Sequence, residues 1–487
     1  MIDPETGLDE VTDVAVSGSQ ITEIGNGLFP ATVDVEVAGL VVTAGFVDLH
    51  SHAADVAGLR LRALDGVTTA LELEAGVSPV AIAYQHAEAE GRPINYGFAA
   101  SWALARMAAV GGIALDGSLA TFLANIATPA WQAAAAPAQI SAILTRLATD
   151  LADGALGIGV LVGYAPGTHP DEYVRVAALA AEAGVPTYTH ARDLIELVPE
   201  TPVDGAEEIV RAAGETGAQM HYCHVNSTSI RHIDRVLELV GRAQAAGSRV
   251  STEAYPYGSG MTAIGAAFLA PERLHERNLA PASITYAPTG EQVADDARLR
   301  ELRAADPGGL AIIRQLDEDD PADLDVLLRS LLFPDAIVAS DAMPLTWPLP
   351  VPDQMTWPLP AGVITHPRTA GTYSRTLRLL GTDRGGPAGA TRSLGLTETL
   401  RRSSLLPARL LQDRVPAMRR KGRMRPGCDA DIVAFDPATV SDQATYALPT
   451  RPATGIRHVL VNGTFVVRDS ALVTSAMPGL PVRATPR

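Results

Sequence analysis

Eleven His are spread unevenly over 487 residues, and several stand where metal chemistry can be done. His50 and His52 close the apolar run GLVVTAGFVDLHSH. On a strand, side chains two apart share a face, so both imidazoles can point the same way and hold one divalent metal. His190 ends VPTYTH, His224 ends AQMHYCH and Asp341 ends DAIVASD. Each taken alone reads better as a capping or buried polar residue than as a ligand. Together they are a set of ligand types at the ends of apolar runs. Glu74 closes a further run, GVTTALELE, with Glu72 one layer deeper on the same face. A buried carboxylate is costly unless it meets a metal, an Arg or a proton. Glu74 is therefore the candidate anion to bridge two metals, and a Glu–Arg pair is the alternative. A carboxylated lysine is excluded as the bridge, because the only Lys, Lys421, lies far outside these runs.

Other residues carry weaker signals. Cys223 and His221 should point away from the face of His224, Cys223 as a small buried apolar residue and His221 packing against helices. Asp48 shares the strand face of His50 and is read as a partner that orients a ligand, or as a buried structural Asp. His169 follows the fourth run in a Pro/Gly loop, where it can line a mouth. His86, His232, His275 and His458 read as structural or surface residues.

The elements that must position these groups follow from periodicity. Eight nearly continuous apolar runs begin near residues 40, 66, 95, 154, 185, 218, 249 and 335. Such runs are expected of strands buried on both faces. Ala-rich amphipathic stretches, such as DEYVRVAALAAEAG and SIRHIDRVLELVGRAQAAG, lie between them. Alternation of this kind predicts a (β/α)8 TIM barrel, whose active site collects at the C-terminal ends of the strands. Short alternating strands at both chain ends, with a turn at Asn462-Gly463, predict a small β-sandwich built from both termini. The expected domains are 1–42 and 412–487 for the sandwich and 43–411 for the barrel, with an insertion near 262–334.

Composition narrows the class. Hydrophobic residues at 47% and charged residues at 19% exclude a disordered chain. A net charge of −17 argues against nucleic acid or an anionic membrane as partner. Two distant Cys form no disulfide framework. The acidic start MIDPETGLDE has no apolar signal core, and no run reaches 18 apolar residues, so the expectation is a cytoplasmic protein with a small-molecule substrate. A homodimer is the base-rate expectation.

GFVDLHSH, His190, His224, SDAMP and GCDADIVAFD together resemble the amidohydrolase superfamily of metal-dependent hydrolases. The set GVTTALELEAG, GALGIGVLVGYAPG, THAR, EAYPY and HPRTAGTYSR is most similar to N-acyl-D-amino-acid deacylases. The resemblance runs over nearly the whole chain and implies one or two zinc ions per chain. His50, His52 and Asp341 would hold one, and His190 and His224 the other, with Glu74 between. A metal lowers the pKa of its water from 15.7 to about 7. Asp341 would relay the proton to the leaving amine, and Tyr255 or Tyr257 would donate to the oxyanion. The chain also departs from that family. Ala75 stands where those deacylases carry a bridging Cys, Asn226 where they carry a basic substrate anchor, and Met261 where they carry a Ser. Arg192, Arg368 or Arg375 would then hold the substrate carboxylate, beside Asn226 and Tyr257. Hydrolysis of an N-acyl amino acid is the leading reading. The alternatives are a cyclic-amide hydrolase, a lyase or cyclase on the same fold, and a non-catalytic barrel.

Overall fold

The computed structural model describes residues 1–28, 31–348, 350–351, 353, 355–382 and 393–485. Eight strands hydrogen-bond side by side in chain order. They are β1 (Phe46–Asp48), β2 (Val67–Val77), β3 (Asn95–Ser101), β4 (Ile158–Val160), β5 (Pro186–Thr189), β6 (Gln219–Tyr222), β7 (Val250–Ala254) and β8 (Ile337–Val338). Pairing is parallel, with Thr187 opposite Met220 and Met220 opposite Val250. Just past β1 and β8, Ser51 and Ala342 form a parallel bridge, so the sheet is a nearly closed barrel. Every residue of β2 is buried, as a strand covered on both faces requires.

Helices separate the strands. The one at Pro170–Ala183 shows why the amphipathic stretches fold as they do. Tyr173, Val176, Ala177 and Ala180 form its buried stripe. Pro170 opens it, Gly184 closes it in the left-handed conformation, and the His169 side chain accepts a hydrogen bond from the Asp171 N–H. His169 is therefore an exposed helix cap.

Packing divides the chain into two compact units. The first comprises Met1–Leu71, Ala87–Gly97 and Ile337–Arg483. It contains a five-stranded antiparallel sheet drawn from both ends of the chain. Val41–Ala44 lies beside Ile432–Phe435, followed by Ile456–Val461, Thr464–Arg468 and Ala471–Leu472. Ile21, Ala44, Met424, Ala430 and Ile432 pack as one core cluster there. Asn462 and Gly463 make the turn between two of these strands, at φ of 48° and 77°. The apolar run from Leu40 to His50 is thus two strands in two sheets. It breaks at Gly45, whose N–H donates to the Asp431 carbonyl at 2.8 Å. A Cβ at Gly45 would lie 2.1 Å from Thr68 Cγ2, so a side chain there would prevent this approach.

The sole lysine supports this unit. Lys421 is buried, and its Nζ donates to Asp431 Oδ2 at 2.7 Å and Asp429 Oδ2 at 3.0 Å. Burial alone would push its pKa down, but the two carboxylates outweigh burial and raise it above the ordinary 10.5. A raised value means the stabilisation is complete below pH 10.5 and is lost as pH climbs through the folded-state value. Lys421→Met should cost about 3–5 kcal/mol at neutral pH, because two carboxylates lose their buried cation. Urea unfolding of both proteins at pH 7 and above pH 10.5 checks this. The gap between them should narrow at the higher pH.

The second unit comprises Glu72–His86, Phe98–Ala336 and Ala484–Arg487. Between β7 and β8 it carries a four-stranded antiparallel sheet, in the order Ser259–Ala263, Leu310–Arg314, Ile284–Tyr286 and Glu291–Gln292. The helices Asp296–Ala305 and Pro321–Leu332 accompany it. Among the described residues, no helix is long and apolar enough to cross a membrane.

Candidate metal centre

In the first unit, β1 runs into His50 and His52, and β8 runs into Asp341. His50 Nε2 lies 3.1 Å from His52 Nε2 and 3.4 Å from Asp341 Oδ1, and His52 Nε2 is 3.5 Å from the same oxygen. Two imidazole nitrogens that face each other this closely need a shared proton or a cation. Asp341 has φ of 50°, a backbone conformation few non-glycine residues adopt. Arg368 holds it there, donating from Nη2 to Oδ2 at 2.8 Å and from Nε to the Asp341 carbonyl at 2.5 Å. Strain of this kind concentrates at functional positions.

Asp48 fixes this end of the barrel through the backbone. Its Oδ1 accepts from the N–H groups of His50 at 3.2 Å and Ser340 at 3.0 Å. Its Oδ2 accepts from Arg62 Nη2 at 2.6 Å and from the Ser340 hydroxyl. The residue before Asp341 and the backbone of His50 are thereby tied to one buried carboxylate.

In the second unit, Glu74 meets two imidazoles. Its Oε1 lies 2.6 Å from His224 Nε2 and 3.1 Å from His190 Nδ1. Ligand atoms of the three residues lie within 4.8 Å of one another. A Cβ at Gly159 on β4 would lie 2.3 Å from the Glu74 carbonyl oxygen, so glycine lets β4 approach β2 at the level of Glu74. The Tyr164 and His190 ring centroids are 4.7 Å apart, as are those of His190 and His224. Glu72, one layer below, accepts from the Gly76 N–H at 3.3 Å.

Beneath His224 lies a network that sequence reasoning missed. His221 is bonded to the neighbouring strand, a pairing that the sequence reading did not foresee. Its Nε2 is 3.0 Å from Glu253 Oε2, and its Nδ1 is 2.8 Å from Ser251 Oγ. The register explains this, since His221 and Ser251 are paired across β6 and β7 and share a sheet face. Glu253 Oε1 also accepts from the His224 N–H at 3.3 Å, where His224 takes φ of 29°. Cys223 is buried, with its sulfur within 4.8 Å of a Glu253 carboxylate oxygen. The available signal was Glu253 itself, an acid at the end of the apolar strand RVSTEA.

The remaining expected site residues fall as follows. Tyr255 and Tyr257 are buried, and the Tyr255 ring lies edge-on to His224 at 6.4 Å between centroids. Asn226 Oδ1 accepts from the Tyr255 N–H at 3.4 Å. Arg192 is engaged within the protein. Its Nε and Nη2 donate to the two Glu208 oxygens at 3.1 and 3.0 Å, and it also donates to the carbonyls of Pro166 and Thr168. Burial pushes the Glu208 carboxyl up, and the Arg192 fork works against that shift. Arg375 pairs with Asp442 at 3.2 Å.

Both donor sets, each two imidazoles and a carboxylate, have the composition of catalytic zinc ligands. Comparison with known proteins adds to this. No family model matches the chain. The chain is 30% identical over 492 residues to D-aminoacylase of Alcaligenes xylosoxydans xylosoxydans, covering 94% of this chain and 91% of that protein. It is 27% identical over 492 residues to N-acyl-D-glutamate deacylase of the same organism, with coverage of 96% and 92%. Among solved structures, N-acyl-D-glutamate deacylase from Bordetella bronchiseptica, crystallised with zinc and a phosphonate inhibitor, superposes with a TM-score of 0.76. That match covers 99% of this chain and 97% of that one at 24% identity.

Proposed function

Because the chain belongs to the D-aminoacylase family of amidohydrolases, we propose that it is a zinc-dependent hydrolase that cleaves the amide bond of an N-acyl-D-amino acid. The observation that carries this reading is the contact of Glu74 with both His190 and His224. The cluster of His50, His52 and Asp341 supports it. In this reading His50, His52 and Asp341 form one set of ligands and Glu74, His190 and His224 the other, for one or two zinc ions per chain. A bound divalent metal acts as a Lewis acid and makes a water molecule acidic enough to react at neutral pH.

The chain's own groups do the rest. The Asp341 carboxylate takes the proton of the attacking water and returns it to the departing nitrogen, so the amine leaves neutral. Arg368 keeps that carboxylate in place by occupying its second oxygen. Tyr255 donates a hydrogen bond to the oxyanion. Asn226 and Tyr257 line the substrate.

A substrate panel tests the reading. Amine release from N-acetyl-D-amino acids should exceed release from their L counterparts and ring opening of hydantoins and dihydropyrimidines. Ring opening without amine release would replace this reading with a cyclic-amide hydrolase.

A further inference from the structure

Within the second unit, the insertion carries a cation to the aromatic surround of His190. Arg277 ends a short helical segment, Pro271–Arg277. Its guanidinium carbon sits 4.3 Å from the centroid of the Phe268 ring. Phe268 in turn stacks with His190 at 6.5 Å and 13° between planes, and lies 5.3 Å from Tyr164. Asp193, three residues after His190, accepts from Arg277 Nη2 and, at 3.4 Å, from Arg273 Nη2. Arg273 also donates to Glu276 at 3.0 Å.

Arg277 Nη1 is buried and has no hydrogen-bond partner. A buried donor on a charged group is costly to leave unmade. Burial lowers the Arg277 pKa to about 10, which still leaves it charged at neutral pH. Asp193 fixes the fork through Nη2, so Nη1 is presented with little freedom to turn away. The structure therefore holds a pre-oriented cationic donor against Phe268, the ring that stacks with His190.

We propose that Arg277 is a specificity-determining residue that binds a carboxylate of the substrate through Nη1. The proposal deepens the N-acyl amino acid reading and rests on it. Two carboxylates can fill the role, the α-carboxylate of any acyl amino acid or the side-chain carboxylate of an acidic one.

The test compares wild type with Arg277→Met and Arg277→Lys. The ligands are N-acetyl-D-glutamate, N-acetyl-D-leucine and N-acetyl-D-leucinamide. Calorimetric titration of metal-depleted protein reports binding without turnover, and initial rates of metal-loaded protein report kcat and KM. Removing a charge-assisted bond should weaken binding about 10- to 100-fold. Loss confined to the glutamate compound assigns Arg277 to a side-chain carboxylate. Equal loss on the glutamate and leucine compounds, with the amide unchanged, assigns it to the α-carboxylate. Unchanged binding and KM for all three would overturn the proposal. Arg277→Lys keeps the charge and should recover part of the affinity, so the test survives if the Met variant fails to fold. Carboxylate binding that depends on Arg277, without turnover of any compound, would leave this inference standing and sink the hydrolase reading. Turnover that ignores Arg277 would do the reverse.

Discussion

Asp341→Asn should lower kcat by about 10²- to 10⁴-fold, the usual contribution of a proton-transfer group. The argument rests on placement. Asp341 is the carboxylate that faces both His50 and His52, and it is held in a rare backbone conformation by a buried arginine. Asparagine keeps the size and shape but cannot take the water proton. Arg368 Nε still has the carbonyl of residue 341 to bind, so the loop keeps part of its clamp. KM should change far less than kcat, because the proton moves only in the reaction itself. Steady-state rates, read beside the urea midpoint of the same sample, separate lost chemistry from lost folding. An Asn variant with wild-type kcat would remove Asp341 from the mechanism.

Glu74→Ala should be the most damaging single change to metal binding. Oε1 of this residue touches both His190 and His224, so its truncation takes one carboxylate from two imidazoles at once. The expected result is loss of metal from that set of ligands and a fall in kcat/KM of at least about 100-fold. Glu74→Asp retains the charge but shortens the reach and should fall between the two. Metal content and activity should decline together across the three proteins. If Glu74→Ala keeps full metal and full activity, the residue is a structural partner of two histidines.

Much of this arrangement was legible in the residues. An HxH at the end of an apolar strand, and His190, His224 and Asp341 at the ends of later strands, could be placed by period and order alone. The barrel followed from the same alternation. What escaped depends on contacts that period does not encode. The break at Gly45 was hidden because both halves of the run are apolar, and only pairing with Ile432–Phe435 draws the first half into another sheet. Arg192 stands two residues after His190, a cation with no partner visible in the sequence. Its partner, Glu208, lies on the following helix, and only the tertiary fold brings them together. His221 and Glu253 were missed because their pairing follows from the register between two strands. Arg277 gave no signal in a polar helical segment until Phe268 and Asp193 were seen beside it.

The central claim is that these histidines and acids hold a metal. The most direct test is the metal content of wild-type protein purified without chelator, measured by plasma mass spectrometry. One to two zinc ions per chain, removed by a chelator together with amine release and restored with it, is the predicted result. Protein that carries no metal even after zinc is supplied, or that hydrolyses N-acyl amino acids equally well without it, would contradict the account.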